Sequence, residues 1–287
     1  MFGLNNGQVD YLQLAIISAK FAKKNLGRET SIALITDENT LKDANMSEVS
    51  ALFDYVIKLD VEEKFQNNRQ YKDTRYYTVQ AKFRNETRSS VYDLSPYDET
   101  VLLDSDYLIC SNMLNQVWGT CEDVLINRDA LGLMHEPLHG DEYRLNSFGI
   151  RMYWATLIYF RKSQKAEQLF KLVEHIKDNW DFYKLTYDFP GSLFRNDYAF
   201  SIAIHILNGG VDDGGENFAA FPNSKILTAL DTDQLYTVNA HNDLVLFAND
   251  RKENWKFLAT RVKDVDVHCM NKFSILNNAD RIKEVLK

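Results

Sequence analysis

The segment Val101-Leu-Leu-Asp-Ser-Asp-Tyr-Leu-Ile109 restricts the fold of this chain more than any other. Two carboxylates interrupt an apolar run, and ionised acids among apolar side chains need either a water-filled cleft or a neutralising partner. Thr100-Val-Leu-Leu103 reads as a buried strand ending at Asp104, so the acids emerge at its carboxyl end. In an extended segment, side chains at i and i+2 project to the same side, which would let Asp104 and Asp106 share one cation. Open α/β sheets bind ligands at such carboxyl ends. Taken alone, Asp-x-Asp is a weak motif, and an ordinary solvated turn accounts for it equally.

The surrounding pattern is that of an α/β chain. Val9, Leu12, Ile16, Ala19 and Ala22 recur at helical spacing, and Lys23, Lys24, Leu26 and Gly27 form a C-terminal stop. Ser31 to Ile35, closed by Thr36 and Asp37, and Asp54 to Leu59 read as buried parallel strands. Thr78 to Ser90 reads as a polar helix before Pro96, and helices between buried strands imply a βαβ sheet. Met113 to Trp118 is a short helix, while Gly119 to Leu145 reads as irregular and partly lid-like. Tyr153 to Phe160 is a strand by its aromatic and β-branched content, followed by a helix from Ser163 to about Trp180 with Leu169, Phe170, Val173 and Ile176 inward. Asn196 to Leu207 is a further helix. Short strands follow near Leu244 to Phe247 and Val265 to His268, with a closing helix from about Asn277. Only Met1-Phe-Gly-Leu4 precedes the loop Asn5-Asn6-Gly7, so the strand that should open such a sheet is very short or is entered partway.

Composition narrows the partners. With 41 acidic and 33 basic residues the net charge is -8, which opposes general attraction to nucleic acid or an anionic membrane. Cys110, Cys121 and Cys269 are odd in number and far apart, so neither a disulfide framework nor a zinc cluster is expected. No apolar run approaches the roughly 20 residues that span a bilayer. The expectation is one domain over residues 1–287, in the cytoplasm, with no transmembrane segment.

Ser95-Pro-Tyr-Asp-Glu-Thr-Val-Leu-Leu-Asp-Ser-Asp-Tyr-Leu resembles the DxD region of GT-A glycosyltransferases of the family 8 type, which includes glycogenin and bacterial galactosyltransferases. Val267-His-Cys-Met-Asn-Lys272 is similar to that family's late HxxxxxK segment, although the spacing here is shorter and the usual glycine and tryptophan are missing. The resemblance implies an α/β GT-A fold, with a Rossmann-like, mostly parallel central sheet flanked by helices. Residues 1–110 would form the nucleotide-binding half, and 111–287 the sugar and acceptor half with the late metal-binding segment. It implies Mn²⁺ or Mg²⁺ held by Asp104, Asp106 and His268, with Ser105 and Lys272 meeting the donor. Two carboxylates and an imidazole suit such an ion.

Leu193-Phe-Arg-Asn-Asp-Tyr-Ala-Phe-Ser201 looks like the family's acidic segment facing the sugar. Asp197 would then position the sugar or stabilise the transition state, or else be an ordinary acid at a helix N-terminus. Lys82, Arg84 and Arg88 form a cationic cluster, and Arg88 matches a basic residue that reaches the donor; a solvated helix face is the alternative. In the loop from Leu4 to Tyr11, Asn5 and Tyr11 are candidates for reading or stacking on the base, and Tyr11 could equally pack in the core. Asp37 could contact the base or ribose, or cap the next turn. Trp154-Ala-Thr156 looks like the strand that presents small residues to the sugar, without the usual Asn-Ala-Gly. Tyr71, Tyr76 and Tyr77 would suit stacking on sugars, although most aromatics pack in core or rim.

The expected partners are a nucleotide-sugar donor, a UDP-sugar first, and an unidentified glycan, protein or small-molecule acceptor, with retention implied by the resemblance alone. A sugar nucleotidyltransferase usually opens with a glycine-rich basic loop, which Asn5-Asn6-Gly7 does not supply. A non-catalytic nucleotide-sugar-binding module stays open because of the short opening strand. A metal phosphohydrolase is disfavoured by the single late histidine.

Overall fold

The computed structural model describes residues 1–60, 68–72, 77–84, 86–128, 130–134, 144–145, 149–188, 193–211, 218–221, 226–239, 243–249 and 256–286. Helix α1 (Tyr11–Asn25) starts where Asp10 accepts the Gln13 N–H at 2.9 Å, and its apolar stripe buries Leu14, Ile17 and Phe21 completely. Strands β1 (Ala33–Thr36) and β2 (Tyr55–Lys58) pair in parallel, joined through α2 (Glu38–Leu41) and α3 (Met46–Leu52). The helix expected over Thr78 to Ser90 is instead a hairpin strand and a 3₁₀ turn. Here β3 (Asn68–Lys72) pairs antiparallel with β4 (Thr78–Lys82), and the turn Glu86–Ser90 leads into α4 (Val91–Leu94). Thr78 and Gln80 are exposed and Ala81 is buried, a period of two that a cross-strand partner enforces over residues with ordinary helix propensity.

Next come β5 (Glu99–Leu103), β6 (Tyr107–Leu108), a 3₁₀ turn at Met113–Gln116, β7 (Val124–Asn127), β8 (Leu131–Gly132), β9 (Arg144–Leu145), β10 (Ile150–Arg151) and β11 (Trp154–Arg161). The stretch from Gly119 is therefore not all irregular, since β7 is a fully buried strand. Strand β11 lies between β5 and β7 and runs antiparallel to both. The central sheet is thus mixed rather than mostly parallel. Between β5 and β7 the chain forms β6 and the 3₁₀ turn, and β11 enters between the two in the reverse sense. Phe2 alone stands for the opening strand, bridging Ile35 of β1 and Asp104 in parallel.

Ser163 caps α5 (Gln164–Asp178), whose inward residues Leu169, Phe170, Val173 and Ile176 are those expected, and a separate α6 (Trp180–Thr186) follows. Helix α7 (Asn196–Leu207) has the bounds read from the sequence. After β12 (Ala219–Ala220), β13 (Ile226–Ala229) and the antiparallel meander β14 (Gln234–Val238), β15 (Leu244–Asn249) and β16 (Phe257–Val262), the chain forms β17 (Asp266–Cys269). Asn277 and Asn278 divide the closing helix into α8 (Lys272–Leu276) and α9 (Ala279–Val285). Strands β6, β17, β13 and β8 make a second small sheet, so Asp104-Ser105-Asp106 lies where the chain steps from one sheet to the other. No described helix is long and apolar enough to cross a membrane.

Asp266 anchors that second sheet. It accepts N–H groups from Cys110 and Ser111 at 2.9 Å each, the Ser111 hydroxyl at 2.8 Å and the Tyr107 hydroxyl at 3.2 Å. Burial pushes its carboxyl up to about 6 against those donors. The folded chain then holds a proton that the unfolded chain releases near pH ~4. Stability from this group is complete below that pH and falls as pH rises towards 6, by up to roughly 3 kcal/mol. Denaturant midpoints measured from pH 4 to 6.5 should decline more in the wild type than in Asp266→Asn.

Candidate functional site

A cleft of about 830 Å³, counting its open mouth, lies at the step between the sheets. Asp104 leaves β5 with its N–H on the Thr156 carbonyl at 3.1 Å, and its own carbonyl accepts the Tyr107 N–H at 3.1 Å. The two acids therefore sit in a tight turn and not in an extended segment, because the chain must reverse to enter β6. The turn still brings them together. His268 of β17 stands opposite Tyr107 in the antiparallel pair β17/β6, which delivers its imidazole to the same point.

Each carboxylate has one oxygen committed and one available. Asp104 Oδ1 is ion-paired with Arg88, whose guanidinium also donates to the Ala155 carbonyl at 2.6 Å. Asp106 Oδ2 lies 2.6 Å from Lys272 Nζ. The remaining oxygens face His268 Nε2, Asp104 Oδ2 at 4.0 Å and Asp106 Oδ1 at 3.6 Å. Ligand atoms about 2.2 Å from a common ion stand at most about 4.4 Å apart, so these distances suit one divalent cation. The three residues can offer ligand atoms within 4.8 Å of one another. Burial by itself would raise the Asp106 carboxyl, but Lys272 and His268 outweigh it and hold it well below the usual carboxylate range. Asp106 stays ionised, as a metal ligand must.

Asp197, in the first turn of α7, accepts the Ala155 N–H at 2.9 Å and pairs with Arg195 at 2.8 Å, and it lines the cleft. It thus ties α7 to β11 while facing the cavity. Ser105, Arg88, Lys272 and Tyr11 line the cleft as well. The Tyr11 hydroxyl lies 3.0 Å from that of Tyr71, and burial, followed by Tyr71 and Asp106, raises its pKa well above the usual phenol value.

Other expected residues lie elsewhere. Asn5 does not line the cleft; its side chain accepts the Leu12 N–H at 3.2 Å and its carbonyl accepts Arg84 at 2.9 Å, so it shapes the loop. Asp37 caps α2 by accepting the Thr40 N–H at 2.8 Å and pairs with Arg84 at 2.7 Å. Burial favours its neutral form, yet Thr40 and Arg84 hold it below the ordinary value. The Lys82 side chain is not part of the lining, and its carbonyl accepts Asn6 Nδ2 at 2.9 Å. Tyr77 is exposed on Phe273, and Tyr76 lies outside the described residues. Arg69 and Arg195, which no sequence motif marks, also line the cleft. Arg69 stands over the Phe83 ring at 5.3 Å, a position set by the β3/β4 hairpin. Arg195, two residues before Asp197, was open to notice as a counter-charge.

No protein-family model matches the sequence, and no curated protein matches it significantly. Among solved structures the chain is similar to glycosyltransferases. One is the galactosyltransferase LgtC in complex with donor and acceptor sugar analogs, at 13% identity over 100% of this chain and 95% of that one, with a TM-score of 0.46. An active-site mutant of LgtC gives 12% identity over 99% and 95%, with a TM-score of 0.48. GlyE of Streptococcus pneumoniae TIGR4 gives 10% identity over 77% of this chain, with a TM-score of 0.39. The chain spans 44% of the length of GlyE. This is a distant similarity of chain path, and the ligands belong to those proteins.

Proposed function

We propose that this chain moves a sugar from a nucleoside diphosphate sugar, a UDP-sugar first, to a hydroxyl acceptor in a metal-dependent reaction with retained anomeric configuration. The observation that carries this reading is the pair Asp104 and Asp106, each with one oxygen on a buried cation and the other facing His268. A Mn²⁺ or Mg²⁺ ion held by Asp104, Asp106 and His268 would supply positive charge for diphosphate oxygens. Lys272 keeps Asp106 ionised and oriented and adds a fixed charge beside the leaving diphosphate. Arg88 orients Asp104 and adds a second fixed charge. Asp197 presents a carboxylate to the same cavity, suited to positive charge that develops at the anomeric carbon. Tyr11 and Arg69 offer ring and guanidinium faces for a base or sugar.

The test is calorimetric titration of UDP with Mn²⁺ and with chelator, followed by UDP release from a panel of UDP-hexoses with and without hydroxyl acceptors. Binding should weaken at least about tenfold, roughly 1.4 kcal/mol, when the ion is removed. A folded protein that binds no nucleoside diphosphate in either condition would overturn the reading. One observation favours a second reading. Arg88 and Lys272 balance the charges of Asp104 and Asp106 without an ion, which suits a module that binds a nucleotide sugar and does not turn it over. Metal-independent binding with no UDP release would identify that module.

A further inference from the structure

Seven of the residues from 64 to 88 are basic and two are acidic, in a chain whose net charge is -8. The β3/β4 hairpin lies within this stretch. Residues 69 and 71 of β3 share one face with their partners 81 and 79 of β4, by the period of two. On that face Tyr71 and Ala81 are buried, Val79 is apolar, and Arg69 carries the single charge. Arg69 lines the cleft, with its guanidinium over the Phe83 ring at 5.3 Å and the Tyr71 ring at 5.9 Å. Rings against the face of a guanidinium hold its plane and leave its N–H edge for a partner.

The other arginines of the cleft and its lysine each meet a carboxylate: Arg84 pairs with Asp37, Arg88 with Asp104, Arg195 with Asp197 and Lys272 with Asp106. Among the described residues Arg69 has no carboxylate partner. The diphosphate of a nucleotide sugar carries about two negative charges, which one divalent ion balances. With Asp104 and Asp106 already paired, such a donor and its ion leave the charge of Arg69 unmet. The transferred sugar would face Asp197, whose carboxylate repels an anionic sugar. The missing anion is therefore sought on the other substrate.

We propose that Arg69 selects the acceptor: the hydroxyl compound that enters the cleft carries a phosphate or a carboxylate, to which the Arg69 guanidinium donates two N–H bonds. This rests on the sugar-transfer reading and assigns Arg69 a part in specificity within it. The basic stretch 64–88 adds a local field that draws an anionic acceptor towards the cleft, against the charge of the chain as a whole.

Calorimetry on protein saturated with UDP and Mn²⁺ tests this, because UDP fills the donor site and no sugar is present to move. Glucuronate and glucose 6-phosphate should each bind at least about tenfold more tightly than methyl glucoside, and the preference should shrink as salt is raised. Arg69→Gln should abolish the preference and leave UDP affinity unchanged, while Arg69→Lys should restore part of it, since it keeps the charge without the planar fork. Thermal melts show that both variants are folded. Equal binding of the charged and neutral sugars by the wild type would overturn the proposal. So would a preference that survives in Arg69→Gln while UDP affinity falls, since Arg69 would then serve the donor. A protein that binds no UDP defeats the sugar-transfer reading instead. The same three sugars titrated in chelator without UDP then decide whether Arg69 holds an anion by itself.

Discussion

With Asp104 and Asp106 both changed to asparagine, UDP affinity in the presence of Mn²⁺ is expected to fall on the order of 100-fold or more. Loss of a single outer-shell partner of a metal ligand costs about 10–100-fold, and this change removes two of the three groups proposed to hold the ion. The variant should bind UDP no better with Mn²⁺ than the wild type does in chelator, which calorimetry reads directly. Asparagine keeps the shape of each side chain, but Lys272, 5% exposed, loses the charge it faces. Breaking one side of such a buried pair costs about 3–5 kcal/mol, so a thermal melt must show that the variant is folded. A folded double variant that retains Mn²⁺-dependent binding would remove this pair from the donor site.

Arg88→Met should destabilise the chain by about 3 kcal/mol, the lower end of the range for removing one partner of a buried ion pair. The lower end applies because the Asp104 side chain is 29% exposed and partly screened, whereas that of Arg88 is 2% exposed. The substitution also takes the donor from the Ala155 carbonyl, on the residue whose own N–H donates to Asp197 in the cleft. Methionine fills most of the volume, so the loss reports charge and hydrogen bonds rather than a cavity. Arg88→Lys should recover only part of the stability, because an ammonium cannot reach Asp104 and Ala155 with the same planar fork. Guanidinium denaturation of the three proteins measures this. A loss below about 1 kcal/mol for Arg88→Met would mean that the pair is no stronger than an exposed one.

Residues with near-neighbour preferences were readable in the sequence. Ser163 opens α5 because its hydroxyl accepts the Ala166 N–H at 3.2 Å, a bond that local chemistry dictates. The bounds of α7 and the end of β5 at Asp104 follow from apolar periodicity in the same way. The acids within the 101–109 run also announced a cleft or counter-charges, and both are present.

Other features depended on partners distant in the chain. Residues 78–82 carry no strong preference, and only pairing with residues 68–72 makes them a strand, which in turn sets Arg69 at the cleft. The antiparallel sense of β11 is set by its pairing with β5 and β7, both distant in the chain. Asn5 and Asp37 have side chains suited to a ligand or to a turn, and packing spent them on the loop and on α2. The sequence by itself determined that Asp104 and Asp106 would need compensation, because the cost of an uncompensated acid is local. Tertiary structure decided that Arg88 and Lys272 provide it, since Lys272 lies 166 residues from Asp106 and meets it only through the pairing of β6 with β17.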